Sequence, residues 1–284
     1  MADARKIIKK VGGSKRGSTR RPSSTRKESR VMPTWKYVTI AFLITVGVLA
    51  LAYRPIIKSA FHRFTHGTNC SGHKIYGTCI PKGYSIYGID ISHHQGDIDW
   101  KELKKGKQGE PPITFIYIKA TEGGSHCDTK FTKNWKAAQK HGFMRGAYHY
   151  FSAKTPGDKQ ARMFINKVRL EPGDLPPMVD VEESPKNVTA YRNELKKFIT
   201  LVENHYGVRP IIYTYKKFHY RYIDNYFEEY PLWIARYEVS HPGIEDEWVM
   251  WQCTEKGRLP GIKEWVDINV LNGKMEELEK LRIK

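Results

Sequence analysis

From Tyr87 onward the chain alternates short β-rich apolar runs with stretches whose apolar residues recur every three or four positions. The runs lie at 87–92, 114–119, 145–151, 178–182, 210–215, 232–236, 248–252 and 265–270. The first five begin about thirty residues apart, the spacing of strand–helix–strand units in a parallel sheet. Three of the gaps carry helical patterns. Residues 129–141 place Phe131, Trp135 and Ala138 on one stripe, with Asp128 as N-cap and Gly142 just past the end. Residues 158–170 align Ala161, Phe164, Ile165 and Val168; residues 189–206 align Leu195, Phe198, Ile199 and Val202 and stop at Gly207. The last three runs are only about seventeen residues apart, too close for helices between them. The pattern predicts an α/β fold: an irregular, TIM-like eight-stranded β/α barrel over 85–284, with fewer helices in its second half and a closing helix at 274–284.

The chain before the barrel divides into three parts. Residues 1–36 hold twelve Lys and Arg against Asp3 and Glu28, a net +10 out of the chain's +18, with almost no large apolar side chain. Such a segment cannot bury a core and is expected to be a disordered cytoplasmic arm. Residues 37–53 carry no charge and are bracketed by Lys36 and Arg54. As a helix they reach roughly 25 Å, enough for a short membrane span, with Trp35, Tyr37 and Tyr53 at the interfaces. The expectation is a transmembrane signal-anchor with the N-terminus in the cytoplasm and the barrel periplasmic or extracellular. Cleavage after Ala50-Leu51-Ala52 is the alternative. Residues 54–84 form a linker and cap. The basic arm lacks interleaved aromatics, which argues against nucleic-acid binding.

All four cysteines, Cys70, Cys79, Cys127 and Cys253, follow the span. That is the compartment where disulfides persist, and spacing alone leaves three pairings open. Cys70 and Cys79 could staple a small loop, leaving Cys127 with Cys253. No metal-binding spacing is present, and neither a metal nor a cofactor is expected.

Alternation along the strands puts ionisable residues where a core strand excludes them. In 178–182, Met178, Asp180 and Glu182 share one face, and Val179 and Val181 the other. Asp90 lies between Ile89 and Ile91, Asp267 shares a face with Asn269, and Glu122 follows the second strand. A barrel gathers strand ends at one rim, so remote acids converge on one site. Tyr148, Phe151, Tyr213, Trp233, Tyr237 and Trp251, with Gln252 and Asn269, stand on the same strand ends and are expected to line a sugar groove. Paired carboxylates are what glycosidic cleavage uses: one protonates the leaving oxygen, and another stabilises or attacks the cationic carbon. His93, His94 and His149 read as hydrogen-bonding groove residues.

Three segments, 90–96 (DISHHQG), 115–123 (FIYIKATEG) and 146–151 (GAYHYF), resemble glycoside hydrolase family 25, the Chalaropsis-type lysozymes. Residues 178–182, 233–237, 251–252 and 266–269 continue the similarity in order, over roughly 85–272. The resemblance implies an N-acetylmuramidase that cuts the β-1,4 bond between N-acetylmuramic acid and N-acetylglucosamine in peptidoglycan. It implies Glu182 as general acid, with Asp180, Asp90 and Asp267 as the other active-site acids. Glu122 matches a position once given a catalytic role and reads here as a structural partner of Lys119. His126 departs from the family pattern. The expected partners are peptidoglycan strands, met by a monomer anchored in the membrane through 37–53. The competing reading is a membrane-anchored glycan-binding module without catalysis.

Overall fold

The computed structural model describes residues 72–284, and before them Thr34, Trp35, Val38, Thr39, Phe42 and Thr45. The chain forms two compact units, 1–67 and 68–284. In the first, the six described residues are helical, and the Thr39 hydroxyl donates to the Trp35 carbonyl at 2.9 Å. Among the described residues no helix is long and apolar enough to cross a membrane. The arm expected at 1–36, the span at 37–53 and the linker through residue 71 otherwise lie outside the described residues.

The second unit opens with a hairpin of β1 (His73–Ile75) and β2 (Thr78–Ile80). Its two-residue turn, Tyr76-Gly77, has φ of 52° and 71°, the double positive φ that matches strand twist. Tyr76 is buried and donates its hydroxyl to the Pro111 carbonyl at 2.9 Å. Cys79 is disulfide-bonded, and Cys70 lies outside the described residues. Cys127 and Cys253 are free thiols, one exposed and one buried, so no disulfide joins them.

The barrel strands are β3 (Tyr87–Ile91), β4 (Ile113–Glu122), β6 (Met144–Tyr150), β7 (Met178–Asp180), β8 (Ile211–Tyr215), β9 (Leu232–Ala235), β10 (Met250–Gly257) and β11 (Val266–Leu271). They pair in chain order, and β11 closes on β3. A short β5 (His126–Cys127) folds back on β4. The helices are α1 (Trp100–Lys105), α2 (Phe131–Lys140), α3 (Gly157–Lys167), α4 (Val188–Tyr206) and α5 (Met275–Leu281). No long helix separates β8 from β9, and none separates β9 from β10 or β10 from β11; for the last three strands the close spacing predicts this.

One strand runs against the all-parallel expectation. β11 is antiparallel to both β10 and β3, whereas every other neighbouring pair around the barrel is parallel. Only residues 258–265 join β10 to β11, and a parallel crossover needs a dozen or more. The reversal turns the start of β11 toward the rim where the other strands end.

Alternation separates two apolar layers. Phe115, Tyr117, Met178, Tyr213, Trp233 and Met250 fill the barrel. Ile89, Ile116, Val179, Phe198 and Trp251 pack between barrel and helices. Gly88 and Gly146 make the inner layer possible. A Cβ on either would fall 2.2 or 2.3 Å from the rings of Phe115 and Tyr117. Asp128 does not cap α2 at its first turn. Its carboxylate bridges instead, accepting from Lys130 N at 2.9 Å and from His93 N at 2.9 Å.

The opposite rim is clamped by Arg145 on β6. Its guanidinium donates to both Asp174 oxygens (2.7 and 3.1 Å), to Glu171 and to the Trp135 carbonyl, and stacks 4.1 Å from the Trp135 ring. Arg145 and Asp174 are both buried, so removing one partner strands a charge. Arg145→Ala is expected to lower stability by about 3–5 kcal/mol in urea denaturation. A loss below about 1 kcal/mol contradicts the clamp.

Candidate active site

Asp90 stands at the inner end of β3, and two amides hold it. Gln252 Nε2 on β10 and Asn269 Nδ2 on β11 donate to its Oδ2 at 2.9 and 2.8 Å. The amides are oriented in turn. Gln252 Oε1 accepts from the hydroxyls of Tyr213 (2.8 Å) and Tyr237, and Asn269 Oδ1 accepts from the Trp233 indole N–H at 3.1 Å. Residues from β3, β8, β9, β10, β11 and the loop after β9 thus fix one carboxylate.

The other acids surround it. Asp267 is the cross-strand partner of Asp90, a pairing that the reversed β11 creates. Asp180 ends β7 between Tyr150 and Tyr213, and Glu182 follows two residues later. Burial raises the Asp90 pKa while its amide bonds oppose the rise. Burial, then the charges of Glu182, Asp90 and Asp267 against that of Lys119, lifts Asp180 well above the carboxylate range. Glu182 is pushed up to about 7 by burial and by Asp90. Asp267 reaches about 9 through burial, then Asp90, Glu255 and Glu182. Together they cannot all be charged at neutral pH. Asp180 Oδ1 is buried with no protein partner, an acceptor left open toward whatever enters.

A bulge in β4 sets the adjacent wall. Lys119 pairs with Tyr148 but Thr121 with His149, so Ala120 is skipped. The skip turns Thr121 outward, where it meets His149 Nδ1 at 2.7 Å, and sets Glu122 opposite Tyr150. Lys119 Nζ lies 2.7 Å from Glu122 and 5.0 Å from the centre of the Tyr150 ring. Burial works to raise the Glu122 pKa, yet its hydrogen bond from Lys119 holds it below the ordinary value. An ionised, lysine-paired carboxylate has no proton to give.

The predicted substrate-binding residues separate into three groups. Tyr148 and Tyr213 are buried walls, and Tyr237, 36% exposed, reaches the surface. Gln252, Asn269 and Trp233 are buried beneath Asp90 and act on it rather than on a ligand. Phe151 and Trp251 are corrections: both face the outer layer. Phe151 packs edge-on against Tyr191 and Phe198, and Trp251 against Tyr84 and Trp248. Their odd positions beside inward-facing Tyr150 and Gln252 dictate this. His149 is also outside, stacked on Phe198 and bonded to Gln160 at 3.0 Å, and burial lowers its pKa to about 4.

Lys119, Tyr150 and Trp265 also belong to the rim, and of these Trp265 escaped the sequence reading. Lys119 follows the inward parity of Phe115 and Tyr117, and Tyr150 that of Tyr148. Trp265, 54% exposed, lies two residues before Asp267, with Gln95 Nε2 donating to its carbonyl at 3.0 Å. One more step of alternation from Asp267 would have found it.

The model of "Glycosyl hydrolases family 25" matches residues 89–262. The chain belongs to that family. It is 38% identical over 208 residues to the uncharacterized protein YegX of Escherichia coli K12, covering 72% of this chain and 76% of that one. It is 30% identical to Lysozyme M1 of Streptomyces globisporus, covering 68% and 70%. A family 25 glycosyl hydrolase structure from Bacillus anthracis superposes with a TM-score of 0.63 at 34% identity, over 70% of this chain and 94% of that one. The chain is therefore a glycoside hydrolase, and the acid cluster lies within the matched family region except for Asp267, just past its end.

The raised acids also affect folding. A carboxyl whose folded pKa exceeds its unfolded value stabilises the fold below the unfolded value and loses that contribution as pH rises through the folded one. For Glu182 the window runs from 4.5 to about 7. Glu182→Gln is therefore expected to raise the thermal midpoint at pH 8 and leave it unchanged at pH 4. An equal shift at both values contradicts the assignment.

Proposed function

We propose that this chain hydrolyses the β-1,4 bond between N-acetylmuramic acid and N-acetylglucosamine in peptidoglycan, with Glu182 as general acid. The observation that carries the reading is a half-buried carboxyl at the barrel mouth, pushed up to about 7, with a second acid two residues away. The names of the relatives lysozyme and N,O-diacetylmuramidase agree with it.

Glu182 hands its proton to the departing glycosidic oxygen. As the bond breaks, positive charge develops on the sugar ring and the Asp90 carboxylate stabilises it; water then adds to the cationic carbon and its proton returns to Glu182. Asp180 presents its open Oδ1 to the substrate; an N-acetyl N–H is a donor of the right kind, and orienting that group prepares it to assist. Asp90, fixed by Gln252 and Asn269, supplies the charge that keeps Glu182 protonated. Exposed Tyr237 and Trp265 offer faces for pyranose rings at the rim. We further propose that residues 37–53 anchor the chain with the barrel outside, a reading supported by their lack of charge after a basic arm.

The full chain incubated with peptidoglycan is expected to release fragments with muramic acid at the reducing end, read by mass spectrometry. Glu182→Gln should slow release by about 10²–10⁴-fold. The wild-type rate should fall as pH rises through about 7, as Glu182 loses its proton. Reducing-end glucosamine, or a Glu182→Gln rate near wild type, overturns the assignment.

A further inference from the structure

A second cluster of ligating side chains lies between the helical turn after β8 and the loop after β9. Residues 216–218 form one helical turn that runs into a π-helical turn, His219–Ile223. This wider turn places His219 and Asp224 at its two ends; such turns recur at functional sites. Asp246 comes from the 236–249 loop. One ligand atom from each of His219, Asp224 and Asp246 lies within 4.8 Å of the others.

Three observations distinguish the cluster from ordinary surface acids. His219 is only 5% exposed; its Nε2 lies 2.9 Å from Asp246 Oδ2, and its Nδ1 is buried with no partner. Whichever nitrogen carries the proton, the ring is incompletely satisfied as it stands. The residues line a cavity of about 280 Å³, so a small ligand has room. The lining also includes Glu228 and Glu247 but no Lys or Arg. None of these four carboxylates pairs with a Lys or Arg among the described residues, although the chain carries +18.

We infer that His219, Asp224 and Asp246 bind a divalent cation of the zinc or manganese type. One imidazole with carboxylates suits those ions, whereas calcium and magnesium favour all-oxygen sets. The ion ties the β8–β9 connection to the β9–β10 connection. The latter begins with Arg236 and Tyr237, and the Tyr237 hydroxyl meets Gln252 in the network beneath the acids. The ion is thus a brace for one wall of the mouth and takes no part in proton transfer.

The test uses the full chain freed of metal by a chelator and titrated with Zn²⁺ and, separately, Mn²⁺ in a calorimeter, with thermal unfolding alongside. One equivalent of at least one ion is expected, with a midpoint that rises with its concentration. His219→Gln and Asp246→Asn should each weaken that binding by more than about tenfold, with circular dichroism unchanged. His219→Ala serves as a second variant at that position should His219→Gln alter the spectrum. No saturable equivalent of either ion, or one retained in a folded variant at 219 or 246, overturns the inference. The readout is binding and unfolding, so its failure leaves the peptidoglycan reading untouched.

Discussion

Mutual repulsion among buried carboxylates is the constraint around which this barrel is organised. Asp90, Asp180, Glu182 and Asp267 come from three strands and the segment after one of them; Asp90 raises the proton affinity of the other three, and Glu182 that of Asp180 and Asp267. Burial alone would neutralise them all. Two amides counter this at one point, donating to Asp90 and favouring charge there. That charge then bears on Glu182 and Asp267. The amides hold down the proton affinity of Asp90 against the burial that raises it, and the charge so favoured helps keep a proton on Glu182.

The rest of the architecture serves that arrangement. Tyr213, Tyr237 and Trp233 orient the amides, so part of the aromatic filling of the barrel fixes a charge rather than touching sugar. The antiparallel β11 delivers Asp267 and Asn269 beside Asp90, which a parallel eighth strand would have carried to the far rim. Gly88 and Gly146 leave room for Phe115 and Tyr117, which pack the floor below. At the opposite rim the Arg145 clamp joins α2, β6 and the turn before β7, the strand that ends at Asp180.

Much of this was legible along the chain, because strands in a closed barrel obey a strict two-residue rhythm. Parity alone assigns Asp90, Asp180, Asp267 and Asn269 inward and Val179 and Val181 outward. The same rhythm excludes Phe151 and Trp251 from the groove, although their aromatic rings are of the type that stacks on sugar. Two features do not follow from rhythm. The reversal of β11 depends on the length of a connection, and the bulge at Ala120 breaks the alternation so that Thr121 and Glu122 exchange faces. His219, Asp224 and Asp246 share no local motif, since a π-turn and a separate loop bring them together.

Carbon-13 labelling of the glutamate carboxyls, followed by nuclear magnetic resonance across pH, reads the central claim directly. The Glu182 signal is expected to titrate near 7 and to move toward its ordinary value in Asp90→Asn, where the neighbouring charge is gone. A Glu182 signal that titrates near 4.5 in both proteins contradicts the account.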